Sequence, residues 1–354
     1  MFNLKFFKGK KIFITGHTGF KGSWLAYILF LSGAKIAGYS LKAKNKFDNF
    51  YLLNLDKKIK NYYGDVTDKK NLSRKIKKFK PDIIFHLAAQ PLVKESYVNP
   101  SYTFSTNIIG TLNVLEILRE INSIKSAVII TSDKCYKNYE KIAGYSEEDE
   151  LGGEDPYSAS KAAAENVFFS YQNSFFKNKK KTGLVSVRAG NVIGGGDWSK
   201  DRIIPDLIKS IIFKKKFIIR SPKATRPWQN VFDLLNGYLL LCKKSYGNNK
   251  YNGSWNFGPN ISHITVKEVI TGLIEKLNVN KKIFIKHDNK IKETGLLSLK
   301  SHKSKNNLKW KIKLSLDQSL NIIAEWYLCF INDKKNIEKL SKHQIERFFY
   351  DRRH

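Results

Sequence analysis

The stretch Lys11–Gly22, KIFITGHTGFKG, limits the possible folds more than any other part of the chain. Ile12-Phe13-Ile14 is a continuous β-rich apolar run, which predicts a strand buried on both faces, as in a parallel sheet. It leads straight into glycines at 16, 19 and 22 and then a helix expected over Ser23–Leu31. In such a loop Gly16 makes the sharp turn, Gly19 lets the backbone approach a pyrophosphate, and Gly22 lets the helix close on the strand. The helix N-terminus then offers N–H groups to the anion. The spacing is GxxGxxG and not the commoner GxGxxG, so a strand-to-helix turn of some other α/β protein is the competing reading.

Downstream segments favour the dinucleotide site. Lys35–Ser40 reads as a second strand, but Ser40, Leu41 and Lys42 stand where an acid usually holds the adenosine ribose, which leaves NAD against NADP open. Tyr62–Gly64 is read as a third strand, with Asp65-Val66 at its end. Lys69–Lys80 is a basic amphipathic helix, Ile83–Leu87 a fourth strand ending in Ala88-Ala89-Gln90, and Ser101–Glu120 a helix carrying Asn107. Ala127–Thr131 is a fifth strand and Gly183–Val187 a sixth. This alternation predicts a doubly wound parallel sheet with ligands at the strands' C-terminal ends.

The fifth strand ends in Ser132-Asp133-Lys134, and Tyr157 and Lys161 follow at i and i+4 on a helix expected to reach Phe176. They share a helical face. A neighbouring ammonium is expected to lower the phenol's pKa from about 10 and make Tyr157 a usable base. With 17 tyrosines and many lysines, about two or three such pairs arise by chance. The order of the motifs is what singles this one out.

A length of 354 residues with 42% hydrophobic residues allows a sizeable core. Cys135, Cys242 and Cys329 have neither metal nor disulfide spacing, and the opening MFNLKFFKGK is no signal sequence, so a cytoplasmic protein without membrane spans is expected. The net charge of +32 raises nucleic-acid binding. The lysines, however, lie in scattered runs such as Lys42–Lys46, Lys75–Lys80, Lys177–Lys181 and Lys334–Lys342, as on solvated faces, so no specific nucleic-acid partner is expected.

The series GHTGFKG, GDVTD, HLAAQ, TSDKCY, YSASK and RAGNVIGGGDW, continued by RIIPD, RPWQNV, WNFGP and Glu325-Trp326, resembles the extended short-chain dehydrogenase/reductase family, in its NAD-dependent epimerase/dehydratase branch. The resemblance runs over essentially the whole chain. It implies a Rossmann domain over residues 1–190, to which about 231–260 return. A smaller sugar-nucleotide domain is implied over 191–230 and 261–354.

It also implies a hydro-lyase with tightly bound NAD, converting CDP-glucose to CDP-4-keto-6-deoxyglucose and water in deoxysugar biosynthesis for surface polysaccharide such as lipopolysaccharide O-antigen. A homodimer or tetramer is implied, formed through the helices Ser101–Glu120 and Tyr157–Phe176. The cofactor-binding residues implied are Gly16, Thr18, Gly19, Phe20, Gly22, Asp65, Val66, Leu87, Ala88, Ala89, Asn107, Tyr157 and Lys161. The substrate-binding residues are Gln90, Asn191, Arg202, Arg226 and Asn256, with Trp228 either stacking on the base or filling the core. The catalytic residues are Tyr157, Lys161, Ser132, Asp133 and Lys134, with Asp133 as the acid for the departing 6-hydroxyl. Lys134 stands where related dehydratases of dTDP-glucose carry a glutamate base, and acts either as the C5 base or as a cation stabilising the enolate. Two rivals remain: a sugar-nucleotide epimerase, which has no need of Asp133 beside Lys134, and a non-catalytic nucleic-acid binder, which needs none of Ser132, Tyr157 and Lys161.

Overall fold

The computed structural model describes residues 4–177, 181–259, 264–285 and 296–350. The domain boundary expected at Ile261 lies outside them, as do Met1–Asn3 of the opening segment, part of the lysine run Lys177–Lys181 and the last four residues.

Along β1 (Lys11–Thr15), Ile12 and Ile14 enter one apolar cluster and Phe13 another, and all three are fully buried. Ile83 and Phe85 alternate with Ile84 in the same way along β4 (Ile83–His86). Such period-two segregation of all-apolar strands marks a sheet covered on both faces. With β2 (Lys35–Ser40), β3 (Lys60–Tyr63), β5 (Ser126–Ile130), β6 (Gly183–Arg188) and an edge strand Gly253–Asn256, it forms a seven-stranded parallel sheet. The order is β3-β2-β1-β4-β5-β6 followed by the edge strand, so chain direction across the sheet reverses between β1 and β4, where this topology opens a crevice.

One face is covered by the helices Lys69–Phe79, Gly110–Glu120 and Pro156–Tyr171. The other is covered by α1 (Phe20–Leu31) and the helix Val231–Ser245, which packs on β5 and β6. Residues 231–256 thus return a helix and a strand to the main sheet. The helices Ile203–Ile212, Val266–Lys276, Leu316–Asn332 and Ile337–Tyr350 join that second core, along with two short parallel pairs, Val192–Ile193 with Gln229–Asn230 and Phe217–Ile219 with Ile283–Ile285.

Three expected helices differ in detail. The first starts at Phe20 rather than Ser23, so Gly22 lies within its first turn. The helix expected over Ser101–Glu120 is interrupted by a π turn at Ser105–Ile109, and the one from Tyr157 passes into a second π turn at Gln172–Phe176. A π turn widens a helix locally, and such turns recur at functional sites. Among the described residues no helix is long and apolar enough to cross a membrane.

Candidate active site

A cleft of about 630 Å³ opens at the C-terminal ends of β1 to β6. Gly16 turns the chain at φ +73°, and a Cβ there would lie 2.6 Å from the Ala88 backbone nitrogen, while a Cβ on Gly22 would collide with the Gly16 carbonyl oxygen. The β1–α1 turn therefore closes only with glycines at these points. Gly19 sits as an extended N-cap with no side chain capping α1, and a Cβ on it would meet only the Gly16 oxygen, at 3.4 Å. Bare first-turn N–H groups facing a cleft suit a diphosphate.

At the β2 and β3 edge, Ser40 replaces the usual acid. Its Oγ lies 3.0 Å from Thr18 Oγ1 and 3.2 Å from His17 Nδ1, so this hydroxyl ties the strand end to the glycine loop. Asp65 Oδ1 accepts from Thr67 N at 2.9 Å and Thr67 Oγ1 at 2.8 Å. Thr18, Gly19, Phe20, Gly22, Asp65, Val66, Leu87, Ala88 and Ala89 all line the cleft.

The opposite wall carries the reactive groups. Ser132 follows β5 in extended conformation and caps a short turn through Asp133–Cys135. Its Oγ donates to Asp133 Oδ1 at 2.9 Å and also shares a hydrogen bond with the Tyr157 hydroxyl. Asp155 caps the helix that brings in Tyr157 and Lys161, by accepting from Ser158 N at 3.0 Å. Tyr157, Lys161, Ser132, Asp133 and Lys134 all line this cleft, as do Asn191, Arg202, Arg226 and Trp228. Trp228 is half-buried and donates its ring N–H to the Ile264 carbonyl at 3.2 Å, so it borders both cleft and core. Arg202 pairs with Asp197 at 3.3 Å.

The electrostatics correct one expectation. Burial pushes the Tyr157 phenol up to about 12, outweighing the Ser132 hydrogen bond, and brings the Lys161 ammonium down to about 8 against the pull of Glu165. Without a cationic ligand beside them, both groups are driven towards neutrality and the lysine does not offset the cost of a phenolate.

Three expected contacts are also corrected. The side chains of Gln90, Asn107 and Asn256 are buried and do not line the cleft. Gln90 Nε2 donates to Thr103 Oγ1 at 2.8 Å and to the Leu92 carbonyl at 3.0 Å, while its Oε1 accepts from Leu92 N. Asn107, in the first π turn, donates to Ser160 Oγ at 2.8 Å and accepts from Gln90 N at 2.9 Å, bracing the β4 exit against the Tyr157 helix. Asn256 accepts from the Tyr136 hydroxyl at 2.8 Å and donates to the Tyr145 and Lys300 carbonyls. Their polar atoms are spent inside the protein and position the walls.

Sequence reasoning missed Lys21, Asp197, Arg220 and Gly190, all in the wall. A Cβ on Gly190 would land on the Asp133 carboxylate, so that carboxylate sits where only a glycine lets it. Lys21 had a signal: it stands between the second and third glycines, on the first turn of a helix that starts at the cleft.

A parallel sheet in this order, a glycine loop at its crossover, and a Ser132–Tyr157–Lys161 cluster at the ends of β5 and the next helix define an extended short-chain dehydrogenase/reductase. The chain belongs to the GDP-mannose 4,6 dehydratase family, whose model matches residues 13–323. It is 41% identical to a CDP-glucose 4,6-dehydratase of Salmonella typhimurium, over 94% of this chain and 94% of that protein. It also resembles a UDP-glucose 4-epimerase of Thermotoga maritima solved with UDP-glucose, at TM-score 0.80 and 22% identity, over 91% of this chain and all of that one. A dTDP-glucose 4,6-dehydratase of Bacillus anthracis solved in complex with NAD gives TM-score 0.76 and 23% identity, over 94% of this chain and all of that one. At such identities the solved structures speak for the fold.

Proposed function

We propose that this chain is an NAD-dependent hydro-lyase that converts CDP-glucose to CDP-4-keto-6-deoxyglucose and water. The observation that carries it is the Asp133–Lys134 pair beside Ser132, Tyr157 and Lys161 in one cleft, in a chain so similar to a CDP-glucose 4,6-dehydratase. An epimerase needs only the latter three.

The glycine loop, the uncapped α1 and the Ala88-Ala89 wall fit NAD, with Asp65 and Val66 at the adenine and Tyr157 and Lys161 at the nicotinamide ribose. Bound there, NAD supplies a reversible hydride acceptor and a positive ring. Arg226, Arg202 and Asn191 hold the substrate diphosphate, for which a guanidinium fork is suited. Tyr157 takes the proton of the 4-hydroxyl as C4 is oxidised. The new ketone acidifies C5, whose proton goes to a lysine of the cleft. Asp133 protonates the departing 6-hydroxyl, and water leaves. Ser132 bridges Tyr157 and Asp133 by hydrogen bonds, so the proton gained by the phenol returns to the carboxyl and both groups are reset.

In this proposal residues 1–190 with about 231–260 form the cofactor domain, and 191–230 with 261–354 the sugar-nucleotide domain. The protein is a cytoplasmic homodimer or tetramer, with Tyr102, Ile109 and Phe169 supplying exposed apolar surface on the relevant helices. The experiment is mass spectrometry after incubation with CDP-, dTDP- or UDP-glucose without reductant. Loss of one water from the CDP sugar is expected; an unchanged mass with a new 4-epimer assigns the chain to the epimerases.

A further inference from the structure

Three charged side chains of the cleft wall lie against one another, and each comes from a different element. Lys94 stands on the helix Val93–Val98 that follows β4, Asp201 just ahead of the helix Ile203–Ile212, and Arg220 directly after the strand Phe217–Ile219. Asp201 Oδ1 accepts a hydrogen bond from Lys94 Nζ at 2.6 Å and lies 3.8 Å from Arg220 Nη2. A single carboxylate oxygen thus faces two cations. The Lys94, Asp201 and Arg220 side chains are 34%, 40% and 28% exposed, and at such exposure each ion pair is weak. A diphosphate carries more charge and more acceptor oxygens than one carboxylate, and both cations would gain by exchanging partners. The next residue in the chain is Arg202, which lines the same cleft and is assigned above to the substrate diphosphate. The cluster is therefore next to the place where such an anion is expected.

We propose that Lys94 and Arg220 are ligands for the phosphate groups of the nucleotide sugar, and that Asp201 competes with that substrate for them. This rests on the nucleotide-sugar reading of the cleft. Binding is then an exchange of anions: the phosphate oxygens take the lysine and the arginine, and the Asp201 carboxylate turns out to water. The protein's own carboxylate lowers the affinity for the substrate and for every product that keeps the same diphosphate. The backbone at Asp201 is left-handed, at φ +57°, a conformation that Asp and Asn enter more readily than most residues. Asparagine at this position therefore keeps the turn and removes only the charge.

The test is isothermal titration of the NAD-loaded protein with CDP and, separately, with inorganic pyrophosphate. It compares wild type, Asp201→Asn, the double variant Lys94→Met/Arg220→Met, and the triple variant that combines all three changes. Asp201→Asn is expected to bind both ligands about three- to thirtyfold more tightly, the range set by two weak ion pairs no longer to be broken. The double variant is expected to bind both more weakly than wild type by a similar factor, and the triple variant no better than the double. Affinity in Asp201→Asn at or below the wild-type value overturns the proposal, because the carboxylate then withholds nothing that the ligand needs. A gain that persists in the triple variant also overturns it, since Asp201 then repels anions at large and not through these two cations. So does a gain for CDP without one for pyrophosphate, which moves the contact to the nucleoside. If wild type releases no water from CDP-glucose, the dehydratase reading fails, and the competition is still decided by the titrations alone.

Discussion

Two successive turns of the helix Pro156–Tyr171 hold ionisable side chains at equal depth and treat them in opposite ways. Lys161 faces the cleft and is brought down towards neutrality by burial. One turn on, Glu165 is fully buried behind the site and is held below its ordinary value, because Arg188, Thr131 and Ser186 outweigh the effect of burial. Arg188 Nη2 reaches Glu165 Oε2 at 2.7 Å, Thr131 Oγ1 donates to Oε1 at 2.5 Å, and the Ser186 and Ser254 hydroxyls complete the set at 3.0 Å. Burial alone does not make a group reactive. It does so where the partner is missing from the protein and has to be brought by a ligand.

The largest effect expected from breaking this contrast is on the cleft side. Tyr157→Phe is expected to lower turnover by about a hundred- to ten-thousandfold by removing the first proton acceptor. Stopped-flow absorbance of reduced nicotinamide on adding substrate checks it; a normal signal removes Tyr157 from that role. On the paired side, Arg188→Met strands the Glu165 carboxylate and is expected to cost about 3–5 kcal/mol of stability, whereas replacing both residues with apolar ones of similar volume restores most of it. Denaturant titration of the single and double variants separates the two.

Lys161→Met sharpens the comparison, because here loss of activity and gain of stability are expected together. The folded-state value of about 8 lies below the ordinary one of about 10.4, so the cofactor-free fold binds this proton less well than the unfolded chain does. The penalty is complete below pH about 8 and vanishes as pH rises past the unfolded value. At neutral pH the cofactor-free variant is therefore expected to be more stable by on the order of 3 kcal/mol. That gain should shrink towards pH 10.5 in a denaturation series, and a pH-independent difference would refute the titration of Lys161 as its source.

The sheet was legible in the sequence because a strand buried on both faces has to be written as an apolar run such as Ile12-Phe13-Ile14, and a tight β–α turn as Gly16 and Gly22. Most of the cleft was legible for a related reason: residues directly after strands, such as Ser132, Asp133, Asp65 and Asn191, are carried to the same sheet edge by the topology. Gln90, Asn107 and Asn256 were misread because a one-dimensional position does not say which way an amide points, and all three turn inward to pair with Thr103, Ser160 and Tyr136. Gly190 was missed because its importance lies in cross-strand proximity: a Cβ there would overlap the Asp133 carboxylate.

Gly190 gives the smallest and most local perturbation of the unpaired cluster. It follows β6, and a Cβ there would overlap the Asp133 carboxylate, which cannot withdraw freely because Ser132 Oγ holds its Oδ1 at 2.9 Å. Gly190→Ala is therefore expected to tilt the acid away from the departing hydroxyl while leaving Tyr157 and Lys161 in place. A displacement of this size typically costs up to about a hundredfold in rate, and a tenfold to hundredfold slowing of water release is expected. C4 oxidation should stay near wild type, so reduced nicotinamide should accumulate during turnover, as it should in Asp133→Asn. If Gly190→Ala instead slows oxidation and elimination equally, the alanine has shifted the whole β6 exit. If it slows neither, the carboxylate need not sit where the glycine lets it, and Asp133 is not the acid.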